Sequence, residues 1–314
     1  MGLKVLVTPR SFGKAGDGPA KLLAAQGLEI RRNPYGRIMS KAEMIREIAD
    51  AEAVILGVDP LDREVLEQAR KLKVIAKYGV GTDNIDLAYA RSRGISVTTT
   101  AGANTEAVAD YTFALLLAAA RRVAAVDGAC RRGDWSVSAT VDVHGRTLGL
   151  VGLGQIGRAV VRRAAGFDMR VIAYDTIRDE RFTASHGVVY TDTLEELLKE
   201  ADFVSLHLPL TAETRHIIGA AELDCMKSRA VLINTARGGL VDEQALLKAL
   251  QVGRLWGAGV DVFEQEPPVH PELAGLDNLV IGAHCAASTF CAVENMGMMA
   301  ARHVIEHLCG EEVG

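Results

Sequence analysis

The stretch TLGLVGLGQIGRAV, residues 147 to 160, constrains the fold of this chain more than any other. An apolar run suited to a buried strand leads directly into Gly152, Gly154 and Gly157, and a helical stretch begins there. Strand, G-x-G-x-x-G and helix in succession require a tight turn at the first glycine, open backbone at the second and close strand-to-helix packing at the third. The amide end of the new helix is then a ready seat for an anion such as a pyrophosphate. The spacing alone is weak, because other α/β turns use it too, so its surroundings decide.

Those surroundings alternate strand-like and helical segments on both sides of the turn. KVLV, AVILG and KVIAK alternate with helical stretches around Pro19 to Gln26, Lys41 to Ile48 and Asp62 to Ala69, and a fourth strand-like run follows at Ile95 to Thr98. From residue 147 onward come TLGLVGLG, MRVIAYD, DFVSLHLP, AVLINTA, LWGAGVDVF and LVIGAH, six runs with helices between them. Such alternation is the sequence form of βαβ units, so the expected class is α/β, with two Rossmann-like domains built on parallel sheets. A length of 314 residues leaves room for two cores. Asn104 to Val123 reads as a helix apolar on most faces, hence buried, against its own domain or a second subunit. DGACRRGDWS after it reads as loop, and Ala292 to Leu308 reads as a helix folding back on the first unit. The expected division is therefore 1–101 with 288–314 as one domain and 102–287 inserted in it.

Asp175 ends the strand that follows the glycine turn, where an acid binds a ribose diol and repels a 2′-phosphate. The expected cofactor is NAD, with Arg178 nearby as the one feature that keeps NADP open. Net charge is −5 and no basic cluster is interleaved with aromatics, which speaks against nucleic-acid or membrane partners and for a small-molecule substrate. Five cysteines, Cys130, Cys225, Cys285, Cys291 and Cys309, are odd in number and lack metal-ligand spacing, so free thiols, no metal and a cytoplasmic location are expected. MGLKVLVTP reads as a first strand rather than a signal peptide, and the apolar run Tyr111 to Ala120 is too short to span a bilayer.

Three polar residues end strand-like segments of the second half: Arg237 after VLINTA, Glu266 after GVDVFEQ and His284 after LVIGA. In an open α/β sheet ligands bind at the carboxyl ends of the strands, which places all three at one crevice. Singly, Arg237 fits an ordinary salt bridge and His284 a satisfied core histidine; together, beside a dinucleotide turn, they fit hydride transfer. An imidazole exchanges the proton of an alcohol near neutral pH, and a guanidinium fork grips a carboxylate at two points. Glu266 is the expected partner of His284, and Glu264 is the competing acid, read as solvated.

With KYGVGTDNIDL at 77 to 87, GANTEAVADYTFALLLAAARR at 102 to 122, GLGQIG, HLPLTAET at 207 to 214, NTARGGLVDE, DVFEQEPP at 261 to 268 and AHCAAS at 283 to 288, the chain resembles the D-isomer-specific 2-hydroxyacid dehydrogenases over nearly its whole length. Within them it is most similar to the short D-3-phosphoglycerate dehydrogenases. The resemblance implies Arg237 as substrate-binding arginine, Glu266 as the acid beside the imidazole and His284 as general acid and base. It implies that Asp261 meets the nicotinamide end, that Gln155, Ile156 and Asp175 touch adenosine and phosphates, and that Leu208, Thr235 and Ala236 line the cofactor together with His207, Pro209, Thr214 and Ala287. It also implies that the outer domain binds substrate, through Lys77, Tyr78, Gly79, Val80 and Gly81, and that the helix near Asn104 helps build a homodimer.

Departures from the family pattern bear on the substrate. Phosphoglycerate dehydrogenases follow the third strand with an Arg-Ser pair near the substrate phosphate, and here Gly57 and Val58 stand there. Lys77 is the remaining nearby cation, with a solvated strand-end lysine as the plain alternative. Ala283 replaces the proline usual before the histidine, and the chain ends without C-terminal regulatory domains. The expected activity is NAD-dependent oxidoreduction of a D-2-hydroxy acid, phosphoglycerate first, with hydroxypyruvate, glyoxylate or another 2-oxo acid as alternatives. An NAD-sensing corepressor of the same fold is the reading from another class.

Overall fold

The computed structural model describes residues 2 to 310. Backbone contacts divide the chain into two compact units, Met1–Asn104 with Ala287–Gly314, and Thr105–Ala286. Each is an α/β unit on a wholly parallel sheet, in agreement with the expected class.

In the first unit β1 (Lys4–Val7), β2 (Glu29–Arg32), β3 (Ala53–Leu56), β4 (Val74–Lys77) and β5 (Ser96–Thr99) stand in the order β2-β1-β3-β4-β5. AVIL of β3 and VIAK of β4 are buried along their whole length, as parallel strands covered on both faces must be. β2 is a fifth strand where four are expected from the sequence. EIRR is an edge strand with no residue fully buried, so it lacks the apolar run that marks a central one; its register against β1, Lys4 opposite Glu29, makes it a strand. The helix Phe290–Cys309 returns to this unit. Its Ala300, Ala301, Val304 and Ile305 close a core with Val5, Val7, Phe12 and Leu23, and each large side chain buried there contributes about 1.5–3 kcal/mol.

In the second unit β6 (Thr147–Val151), β7 (Arg170–Tyr174), β8 (Val189–Tyr190), β9 (Phe203–Leu206), β10 (Val231–Asn234), β11 (Gly257–Val260) and β12 (Leu279–Ile281) stand in the order β12-β11-β10-β9-β6-β7-β8. The order reverses between β6 and β9, and the crevice at such a reversal is where α/β sheets bind ligands. Seven strands replace the expected six, because β8 has only two residues and neither is buried. A further correction concerns DGACRRGDWS. Val123–Arg131 is a helix, and the loop begins only after it; none of its residues is buried, and Val123 and Val126 are exposed. Helix Thr105–Arg121 does bury Phe113, Leu115 and Leu116 within this same unit. The five cysteines are free, and among the described residues no helix is long and apolar enough to cross a membrane.

Candidate active site

The site is built on the second unit, from the glycine turn after β6 and the ends of β9 to β12. Gly152 has φ of +100°, which a side chain rarely tolerates, and a Cβ there would lie 2.8 Å from the His207 carbonyl oxygen. On Gly157 a Cβ would lie 2.5 Å from the Gly152 carbonyl oxygen, so helix and turn touch at backbone distance. No atom lies within 4 Å of the corresponding point on Gly154, which N-caps the helix Gln155–Ala164. Two glycines are thus forced by packing, and the middle one leaves open space over a helix N-terminus, which fits the pyrophosphate of a dinucleotide.

Asp175 follows β7 and closes this turn: its Oδ2 accepts the Leu153 amide at 2.7 Å and its Oδ1 the Ile177 amide at 2.9 Å. The carboxylate is therefore held at the mouth of the glycine turn. Arg178 is engaged elsewhere, donating to Asp192 at 2.8 Å and to the Thr191 carbonyl. Gln155 and Ile156 open the helix over the turn, with Gln155 Oε1 3.5 Å from Thr105 Oγ1. His207, Leu208 and Pro209 follow β9; burial pushes the His207 imidazole down to about 4, and the ring bonds Ser205 at 3.0 Å. Thr214 pins the same loop by donating to the Pro209 carbonyl at 2.7 Å.

The three predicted catalytic residues follow β10, β11 and β12, which are neighbours in the sheet. His284 Nδ1 lies 3.0 Å from both Oε1 and Oε2 of Glu266, so the structure brings this pair together across a separation of 18 residues. With a carboxylate on Nδ1, that nitrogen carries the hydrogen and Nε2 is the one left to exchange a proton. Asp261 organises the loop beneath. Its backbone carbonyl accepts the His284 amide at 2.7 Å, and its buried carboxylate accepts the Cys285 amide at 3.0 Å and the Ala286 amide at 2.8 Å. These bonds hold His284 in the left-handed region at φ 53°. Cys285 Sγ rests 3.2 Å from the Tyr111 hydroxyl, whose phenol is pushed up chiefly by burial.

Arg237 ends β10 on a turn held by fully buried Asn234, which donates to the Arg237 carbonyl at 2.8 Å and accepts the Ala236 amide at 3.1 Å. Thr235 is fixed to Thr112 by a 3.0 Å hydroxyl pair. Gly238 joins this turn to the one carrying Glu266: a Cβ there would lie 1.9 Å from the Phe263 carbonyl carbon. Gly238 is thus the contact point between two site-bearing turns, while Gly239 faces Leu210.

Two residues missed in the sequence belong to this scaffold. Asn234 carries the signal of an amide ending a buried run before a turn, which marks a side chain folding back on its own backbone. Glu243 is buried under the Glu264 amide, and nothing local distinguishes it from a solvated helix-start acid. Glu264, the competing acid, is exposed and takes His216 at 3.0 Å and Arg215 at 3.3 Å at the surface.

Lys77, Tyr78, Gly79, Val80 and Gly81 lie at the end of β4 in the first unit. Lys77 is 4% exposed and donates to the Gly57 carbonyl and, at 2.9 Å, to Asn84 Oδ1, so the solvated-lysine alternative is wrong. Tyr78 donates to the Val293 carbonyl at 2.8 Å, and Gly79 has φ of +127° with its amide on Thr100. Ala287 is the first residue of the C-terminal segment of that unit.

Comparison with known proteins agrees with this geometry. Residues 113–286 match the family described as D-isomer specific 2-hydroxyacid dehydrogenase, NAD binding domain. A glyoxylate reductase of Korarchaeum cryptofilum is 50% identical over 87% of this chain and 84% of its own length. The D-3-phosphoglycerate dehydrogenase of Methanocaldococcus jannaschii is 42% identical over 87% of this chain, which spans only 53% of that protein. The crystal structure of TT0316 protein from Thermus thermophilus superposes with a TM-score of 0.88 at 43% identity, covering 99% of this chain and 98% of that one. With a dinucleotide turn that fits NAD, an imidazole–carboxylate pair at adjacent strand ends and relatives at this level of identity, the chain belongs to the NAD-dependent D-isomer-specific 2-hydroxyacid dehydrogenases.

Proposed function

We propose that this enzyme reduces a short, unphosphorylated 2-oxo acid, glyoxylate or hydroxypyruvate, to the D-2-hydroxy acid (glycolate in the achiral case). The observation that carries the reading is the state of Lys77. Where a phosphate clamp would need a cation after β3, Gly57 stands instead, and the buried Lys77 ammonium is already bonded to the Gly57 carbonyl and to Asn84. A dianionic phosphate finds no arginine there, which favours glyoxylate over the phosphoglycerate that the sequence resemblance put first. The glyoxylate reductase named above supports the same order.

Bound NADH supplies the hydride to the carbonyl carbon. The roles of the chain's own residues follow from their chemistry. The Arg237 guanidinium holds the substrate carboxylate at two points and polarises the adjacent carbonyl. His284 gives the proton on Nε2 to the carbonyl oxygen as it becomes a hydroxyl, and takes a replacement from solvent; Glu266 accepts from Nδ1 throughout and balances the imidazolium charge. Gly152, Gly154, Gly157 and Asp175 hold the pyrophosphate and ribose.

Steady-state assays with NADH and equal concentrations of glyoxylate, hydroxypyruvate and phosphohydroxypyruvate test this. The expected kcat/KM for the unphosphorylated acids exceeds that for the phosphorylated one by about tenfold or more, and Arg237→Lys lowers it about a hundredfold, mainly through KM. Preference for phosphohydroxypyruvate would restore the phosphoglycerate reading, and no turnover with intact NADH binding would favour a corepressor-like binder.

We also infer a homodimer. Helix Val123–Arg131 buries none of its residues, and beside it Trp135 is 79% and Val137 97% exposed, an apolar run that a lone copy leaves in water. Sedimentation velocity is expected to give twice the chain mass of 33.6 kDa, and a species at the single-chain mass alone would refute it.

A further inference from the structure

A third carboxyl group stands behind the imidazole–carboxylate pair. Glu243 is the first residue of helix Glu243–Gln251 and is 5% exposed. Its Oε1 accepts the Glu264 amide at 2.5 Å, while its Oε2 is buried with no hydrogen-bond partner among the described residues. The turn it holds, residues 263 to 266, is braced elsewhere as well. Glu266 Oε1 accepts the Phe263 amide at 3.2 Å, the Glu264 carboxylate takes Arg215 and His216, and the Phe263 backbone lies against Gly238. Among the described residues, Glu243 is the buried side chain that reaches the backbone of this turn from another element.

We propose that Glu243 is a positioning residue for the Glu266–His284 pair, its buried carboxyl holding the turn that sets the Glu266 carboxylate against the imidazole. The surroundings oppose ionisation. A charged carboxylate would place negative charge on a buried oxygen with no donor, a desolvation cost that the protonated group lowers. The charged and titratable groups facing it are Glu264 and Glu266 from the turn and His270 from the segment beyond it, and burial together with the two carboxylates outweighs the histidine, holding the Glu243 carboxyl above the usual carboxylate range. Ionisation of Glu243, which these surroundings delay to higher pH, adds a negative charge beside Glu264 and Glu266 and loosens the turn.

The inference rests on the roles proposed above for Glu266 and His284. It is tested by pH profiles of kcat and by NADH binding for Glu243→Leu and Glu243→Gln. Leucine removes the acceptor and is expected to lower kcat by about tenfold, to shift the acid limb of its profile and to leave NADH affinity within about twofold. Glutamine keeps an acceptor and cannot ionise. It is expected to restore most of the turnover that leucine loses, and to flatten the alkaline fall in kcat that the unaltered chain shows. A leucine variant with unaltered kcat and profile, or a glutamine variant as impaired as the leucine one, overturns the proposal. Should the leucine chain fail to fold, the glutamine profile decides: a flattened alkaline limb supports the proposal and an unaltered one overturns it. If turnover survives in His284→Ala, the site roles themselves fail; if it is lost there while both Glu243 variants behave as the unaltered chain, only this inference does.

Discussion

Replacing His284 by alanine is expected to lower kcat by about 100- to 10,000-fold while NADH binds with nearly unaltered affinity, as measured by single-turnover kinetics and fluorescence titration. The side chain is 37% exposed and its hydrogen bonds run to Glu266, so its removal opens no core cavity. What is lost is the proton donor. The backbone at this position is left-handed, which costs an alanine roughly 1–2 kcal/mol, so His284→Asn, better suited to that conformation, serves as the second variant. Turnover within tenfold of the unaltered chain in both would refute the assignment of His284 as acid and base.

Gly238→Ala is expected to destabilise the second unit by about 3 kcal/mol or more and to abolish turnover in the fraction that folds. The added carbon would sit 1.9 Å from the Phe263 carbonyl carbon and 2.4 Å from the Glu264 amide nitrogen, and all of these atoms are backbone. No rotamer change relieves such a clash. Either the end of β10, which carries Arg237, or the turn that carries Glu266 has to move, so stability and geometry fail together. Gly275→Ala, with nothing within 4 Å of the added carbon, is the matched control. Urea denaturation midpoints for the two variants that coincide would show that the turns do not pack as described.

Sequence reading reached the fold wherever local physics dictates it. The runs AVIL, VIAK, VLIN and TLGLV are apolar because parallel strands covered on both faces admit little else, and Gly152 and Gly157 after β6 are forced by backbone contacts that a side chain would break. EIRR and VY escaped because edge strands owe their structure to a neighbour rather than to their own composition. Val123–Arg131 escaped because none of its apolar residues, Val123 and Val126 among them, is buried, so no core packing marks the segment. Arg237, Glu266 and His284 were legible because polar residues ending apolar strands stand out, and strand ends in such a sheet face one edge.

The sequence by itself determined that this chain is a two-domain α/β protein with a dinucleotide turn and an imidazole, a carboxylate and a guanidinium at strand ends. These features depend on period, spacing and residue type, which act over a few residues. Only the tertiary structure decided that Lys77 is buried against Gly57 and Asn84, that exposed Glu264 pairs with Arg215, and that Glu243 lies with an unpaired oxygen beneath the turn of Glu266. Burial and partner choice for a charged side chain are set by which distant segments pack around it. That is a property of the folded surface and not of any stretch of the chain.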